Sequence, residues 1–291
     1  MKFLIVFIVL MMQARLPLPQ RSTRSRSFNK WLQLCRKLPK FAWVHRHVRY
    51  TLVVIVPTVA ISAAFFWAEH WAWGLGTVLL EILLLTYVLS HISIGKHIAD
   101  YRHDLSEGDT QGAYHCAEQF LAVPEVTVTD DISAMNEQVI RALLHRWFEY
   151  FFLMVFWYMV ADVAGVLLAW FSVQYARAQE CDDRAWRYLH WLEWGPVRLL
   201  GLTYGLAGNF MRALPVWRQQ LWQLDAHSAD ILFNVASSAL SASDEQRRWH
   251  KADENAAEAA RDLDEWHSLH LRSVSIWMVV IAIAAVGGVL L

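Results

Sequence analysis

The chain has 291 residues, of which 56% are hydrophobic and 18% charged, with 16 Trp and a formal net charge of -1. Low charge beside apolar residues gathered in blocks excludes an ordinary soluble domain, where about a quarter of residues are charged, and indicates an integral membrane protein. The near-neutral total hides segregation: Arg15–Arg49 carries ten Lys/Arg and no acid, while acids outnumber bases over Ser93–Glu149.

In chain order, Met1–Met12 is a short apolar run with Lys2 near its start. It resembles a signal-peptide core, but no small-x-small cleavage site follows it. At about 1.5 Å per residue it reaches ~18 Å, short of the ~30 Å hydrocarbon layer. It is expected as a retained, shallow N-terminal helix, with a cleaved signal as the alternative. The rest of residues 1–49 is basic, punctuated by Pro and Ser, and abuts an apolar span. The positive-inside rule places that segment at the cytoplasmic face, against anionic headgroups, and argues against nucleic acid as its partner.

Residues 50–92 read as a transmembrane hairpin: a span over Tyr50–Trp67 that contains Pro57, a tight turn, and a return span over Trp73–His91. Trp67, Trp71 and Trp73 cluster at the turn, as interfacial indoles do. Glu81 falls near the middle of the return span, where an ionisable group marks either a ligand site or a buried polar pair with a neighbouring helix. Residues 93–146 follow as a cytoplasmic helical region. There Gly108 is expected to end one helix and Asp109 to cap the next.

Residues 147–172 form either a span or a membrane hairpin. A single helix would put Asp162 at mid-bilayer, while arginines on both flanks (Arg141 and Arg146; Arg177, Arg184 and Arg187) draw both ends to the cytoplasm. A turn at Ala161–Gly165 reconciles these demands, with arms of about 20 Å that re-enter rather than cross, as protein-enclosed backbone can. Residues 173–273 contain the apolar element Trp191–Trp217 and an acidic helical region, Asp253–Trp266 among it. Residues 274–291 are expected as a C-terminal transmembrane helix.

In Trp191–Trp217, Pro196 and Pro215 bracket an apolar run with Gly201, Gly205 and Gly208 on one small-residue face, suited to close helix packing. Arg198 opens the run. It is read either as snorkelling to headgroups or as a fork that holds a carboxylate or phosphate. No P-loop, dinucleotide fingerprint or nucleophile elbow is present, and no spacing sets a base against a nucleophile, so no catalytic residue is assigned. His267 and His270, after Asp264 and Glu265, are the best metal-like grouping but read as interfacial histidines, and neither metal nor cofactor is expected. Cys35, Cys116 and Cys181 are odd in number and form no C-x-x-C, which fits reduced thiols in a reducing compartment. The fold class expected is all-α: a polytopic helical membrane protein with about four membrane segments and cytoplasmic helices.

Trp194-Gly195-Pro196-Val197-Arg198-Leu199, with Gly201, Tyr204, Ala207-Gly208 and Ala213-Leu214-Pro215-Val216-Trp217, resembles the signature segment of the AmpE family. The order of elements around it resembles that family too. The resemblance implies a bacterial inner-membrane, multi-pass regulatory protein implicated in β-lactamase induction and cell-wall recycling. It also implies, as partners, a cytoplasmic anhydro-muropeptide amidase or muropeptide fragments. AmpE is similar in turn to the membrane-bound cobinamide-phosphate synthases. The polar runs of those enzymes are replaced here by Trp147–Trp157, in which Phe152–Phe156 stands for their Ala-Pro-Leu-Phe, and by Ser172-Val173-Gln174-Tyr175, so the resemblance implies a regulator rather than a synthase. Ligand-contact candidates are Arg198, as the anion clamp of a membrane-bound synthase for an acidic or phosphorylated substrate, and Glu81 and Asp162, as polar groups of a transporter of such a compound.

Overall fold

The computed structural model describes residues 2–15, 25–37, 46–71, 75–89, 94–121, 132–178, 183–240 and 256–287. Trp73, the Pro124 loop and Cys181 lie outside them. Among the described residues the structure is helical with no strand. The chain is an all-α integral membrane protein. Among the described residues three helical stretches are long and apolar enough to cross a bilayer, Val48–Ala68, Ala134–Ala178 and Ala259–Ala284, the second of them interrupted at Ala161–Asp162. Lys2–Met12 and Gly76–Leu89 are shorter apolar helices. Two compact units are distinguished: residues 1–93, 149–196 and 281–291, and residues 94–148 and 197–280.

The first unit begins with α1 (Lys2–Arg15) and α2 (Arg26–Arg36). Within the basic segment, α2 is an unforeseen amphipathic helix. Phe28, Leu32 and Cys35 recur at helical spacing and are buried, while the intervening polar residues face out. Ser25 caps it, its Oγ accepting from Phe28 N. The first long helix runs through α3 (Arg46–Tyr50), a π turn (Thr51–Ile55) and α4 (Val56–Trp71). Pro57 has no N–H for the carbonyl of Val53, and its ring crowds that carbonyl, which accounts for the local π geometry. The indole of Trp31 donates to that freed carbonyl at 3.3 Å. Helix α5 (Leu75–Leu89) follows, with an almost wholly apolar sequence.

In the second unit, α6 (Ile94–Glu107) ends at Gly108, and Asp109 Oδ1 accepts from Gly112 N at 2.9 Å ahead of α7 (Thr110–Leu121). Helix α8 (Ile132–Trp147) leads into a second π turn (Phe148–Phe152) and α9 (Leu153–Ala178) of the first unit. Then come α10 (Asp183–Ala207), α11 (Phe210–Gln220), α12 (Ser228–Leu240) and α13 (Ala256–Val286). Arg141 on α8 joins Glu137 and Asp230 and lies 4.0 Å over the ring of Phe233, itself stacked on the buried Trp266. This network ties α8, α12 and α13 together. The acidic helix and the closing span are one element: α13 runs unbroken because no Gly or Pro interrupts 256–286.

Pro196 and Pro215 stand inside α10 and α11 rather than outside the element they were read to bracket. The helix break falls instead at Gly208–Asn209. A Cβ at Gly208 would lie 2.6 Å from the carbonyl oxygen of Ala239, so only glycine lets the turn approach the end of α12. Asn209 N donates to that same oxygen at 2.8 Å, and the Asn209 side chain caps α11. The small-residue face packs as its spacing suggests, with Gly201 against Trp217 and Gly205 against Ala213.

Candidate functional site

Helix α9 holds the unusual backbone of the molecule. Ala161 and Asp162 leave helical geometry, and Asp162 has φ 53°, ψ -146°, a region costly for a residue with a Cβ. The chain turns back here. A Cβ on Gly165 would fall 2.2 Å from the carbonyl oxygen of Trp157, an approach impossible in a straight helix. Residues 13 before and 15 after the turn, Glu149 and Arg177, therefore meet.

At the tip, Asp162 pairs with Lys2 Nζ at 2.7 Å. One turn earlier on α9, the hydroxyl of Tyr158 donates to Glu81 Oε2 at 2.8 Å. Two of the three sequence-derived candidates, Glu81 and Asp162, thus belong to one polar cluster built from α1, α5 and the tip of α9. Each carboxylate is answered by a side chain from another helix, which is how ionisable groups persist in apolar surroundings.

A second cluster closes the base of the turned-back arms. Glu149 is completely buried, and Arg177 Nη2 donates to its Oε2 while Nη1 donates to the Tyr150 hydroxyl. The guanidinium carbon lies 4.9 Å from the Tyr150 ring. Glu193 on α10 is also buried, its carboxylate within 4.8 Å of that of Glu149. Arg177 is the counter-ion that offsets the burial of Glu149, since losing one partner of a buried pair costs on the order of 3–5 kcal/mol. Sequence reasoning missed the cluster. The signal was available: a turn centred near residue 163 sets position 149 opposite 177, and Glu149 is the acid inside the aromatic run 147–152.

The second arm continues this pattern. Ser172 bonds the Tyr50 hydroxyl at 2.9 Å, and Gln174 Oε1 accepts from Ser25 N at 3.1 Å. Ser25 Oγ in turn bonds the Tyr87 hydroxyl at 3.0 Å. Nearby, Trp157 donates to the carbonyl of Leu192 at 3.2 Å, the group that Pro196 deprives of its helical partner. Trp31 serves the carbonyl freed by Pro57 in the same way.

Arg198, the third candidate, is in the second unit. Its side chain is buried and its pKa is lowered by that burial. Nε donates to the Leu221 carbonyl at 2.9 Å, and Nη2 to those of Gln223 at 2.9 Å and Gln220 at 3.4 Å. Gln220 is the last residue of α11, Leu221 its C-cap and Gln223 part of the turn that follows, so the guanidinium caps the helix end and its exit. Trp217 Nε1 donates back to the Arg198 carbonyl at 2.7 Å. His270 is enclosed by Trp147, stacked at 4.1 Å, and by the Tyr204 hydroxyl, 3.3 Å from its Nδ1.

The chain is 31% identical over 180 residues to the Cobalamin biosynthesis protein CobD of Stutzerimonas stutzeri (strain A1501), covering 56% of this chain and 55% of that one. It is 25% identical over 178 residues to Protein AmpE of Shigella flexneri, covering 56% and 62%. The matched segments thus span less than two thirds of these curated relatives. No solved structure matches. Residues 8–291 match the family described as Regulatory signalling modulator protein AmpE, and the chain therefore belongs to the AmpE family.

Proposed function

We propose that this protein is a non-enzymatic regulatory protein of the bacterial inner membrane, acting in the control of β-lactamase induction and cell-wall recycling. The observation that carries the reading is the family match over residues 8–291. The construction of the first unit supports it. The polar groups of its helical core, Glu149, Arg177, Ser172 and Gln174, are tied to one another or to neighbouring helices. Such a core suits a scaffold that transmits a state better than a site that turns over substrate. A cytoplasmic amidase of anhydro-muropeptides, or the muropeptides themselves, is the partner this reading implies. Deleting the gene in a host with an inducible β-lactamase tests it: induction and muropeptide pools should both change. An unchanged response in both rejects it.

A second reading is a membrane-bound synthase for an acidic or phosphorylated substrate, favoured by the 31% identity to a cobalamin biosynthesis protein. In it Arg198 would be the anion contact and would have to exchange backbone carbonyls for the ligand. Glu81 and Asp162 are the corresponding polar groups for transport of such a compound. Purified protein should then bind a phosphorylated ligand and lose it on Arg198→Ala and Arg198→Lys. Binding unchanged in both variants removes Arg198 from that site.

A further inference from the structure

Helix α11 buries one face and leaves uncovered a second face of Met211, Pro215 and Trp222 with a single charge, Arg218. Ala213, Val216, Trp217 and Gln220, at helical spacing, turn inward, where Ala213 packs with Val235 and Ala239 of α12. The opposite stripe begins at Met211, 80% exposed, passes Pro215 and Arg218, and ends at Trp222, 82% exposed. Met211 and Trp222 are eleven residues apart, roughly three helical turns, so they project from the same face. Leu221, the C-cap, keeps helical geometry and carries that direction to Trp222. A surface helix in water would present polar residues there.

The position of Trp222 is enforced. Arg198 donates to the carbonyls of Leu221 and Gln223, one on either side of it. The backbone on both sides of this exposed indole is pinned by a buried cation.

Two further observations identify what covers this face. Helix α11 contains Arg212 and Arg218 and no acid, so its charge complements an anionic surface. Met211 also lines a cleft of about 690 Å³ together with Phe210 and Arg272 of α13. Arg272 is the last charged residue of α13 before the uncharged stretch 273–286. It therefore marks the level at which α13 enters the membrane. The start of α11 is at that same level.

We infer that α11 lies on the membrane surface, with Met211 and Trp222 among the upper acyl chains and Arg218 and Arg272 on the phosphates of anionic headgroups. Amphipathic helices with basic and aromatic residues occupy this layer by combining apolar burial with attraction to anionic lipid. Arg198 is the positioning residue that fixes the Trp222 end.

The test uses the full chain, with its three native cysteines replaced by serine, in vesicles of phosphatidylcholine with or without phosphatidylglycerol. An environment-sensitive fluorophore is placed at Met211→Cys or Trp222→Cys, with Gln111→Cys on the exposed face of α7 as reference. Labels at 211 and 222 should be quenched by doxyl-labelled lipid and severalfold less by aqueous acrylamide than the label at 111. The lipid quenching should be stronger with phosphatidylglycerol, and Arg218→Gln should reduce that difference. Acrylamide access equal to that at 111 overturns the inference. Shielding from acrylamide without quenching by lipid overturns it too, because a protein surface then covers the face. Lipid quenching indifferent to both phosphatidylglycerol and Arg218→Gln overturns the headgroup assignment.

Discussion

Glu149 and Arg177 meet across the base of a turned-back helix whose tip is 13 residues from one and 15 from the other. The pair fixes the register of the two arms, with the Tyr150 hydroxyl on the same guanidinium and the Glu193 carboxylate close by. Removing the cation should therefore harm more than removing both charges. Arg177→Met is expected to destabilise the protein by about 3–5 kcal/mol, because Glu149 stays buried without its counter-ion. Glu149→Gln with Arg177→Met should recover part of that loss. Thermal unfolding in detergent measures both, and strictly additive effects of the two changes would refute the coupling.

Two prolines and two tryptophans predict a paired genetic signature. Trp31→Phe should cost about 0.5–1.5 kcal/mol, the worth of one hydrogen bond to the Val53 carbonyl. In a Pro57→Ala background the helix regains its own donor, and the same change should cost less. Trp157→Phe with Pro196→Ala offers the same cycle at Leu192. Equal costs in both backgrounds would show that proline is not the reason the indoles are there.

Glycines in α10 and at its end should respond oppositely to alanine. Gly208→Ala places a methyl 2.6 Å from the Ala239 carbonyl, so backbone must move, at about 1–3 kcal/mol as in overpacked cores. At Gly195 nothing lies within 4 Å of the added Cβ, and alanine should stabilise the helix by about 0.5–1 kcal/mol. Melting temperatures in detergent that move in the same direction would contradict this account of the turn.

The Cys116 thiol is held protonated. Burial, its 3.2 Å hydrogen bond to Asp104, and the charges of Asp104, Asp100 and Asp109 push its pKa up to about 11. The folded protein keeps this proton where an unfolded chain has lost it, so the contribution to stability falls as pH rises from about 9 through 11. Alkylation of Cys116 near pH 8, followed by peptide mass spectrometry, should be roughly a hundredfold slower than after denaturation, following thiolate fraction. Equal rates would refute the shift.

Much of the fold was legible because it follows from local rules. Spans announce themselves by apolar length, Gly108 and Asp109 mark a helix boundary by backbone freedom and capping, and the glycines of 201–208 reveal a packing face by spacing. What was hidden depends on partners far away in sequence. Glu149 looks like one more acid at a membrane edge until the turn at Asp162 brings Arg177 opposite it. Arg198 carries the same charge whether it faces a ligand or a helix end, and only tertiary structure aims it at three carbonyls. In α13 a change from acidic to apolar composition looks like a boundary, although nothing in its backbone chemistry breaks the helix.

The most direct test of the central claim combines deletion with repair. In a host with an inducible β-lactamase, the gene is deleted and restored as wild type, as Arg177→Gln, or as Gly195→Ala, with membrane levels matched by immunoblot. The account predicts that deletion alters induction, that wild type and Gly195→Ala restore it, and that Arg177→Gln does not. Induction unaffected by deletion, or fully restored by Arg177→Gln, would contradict it.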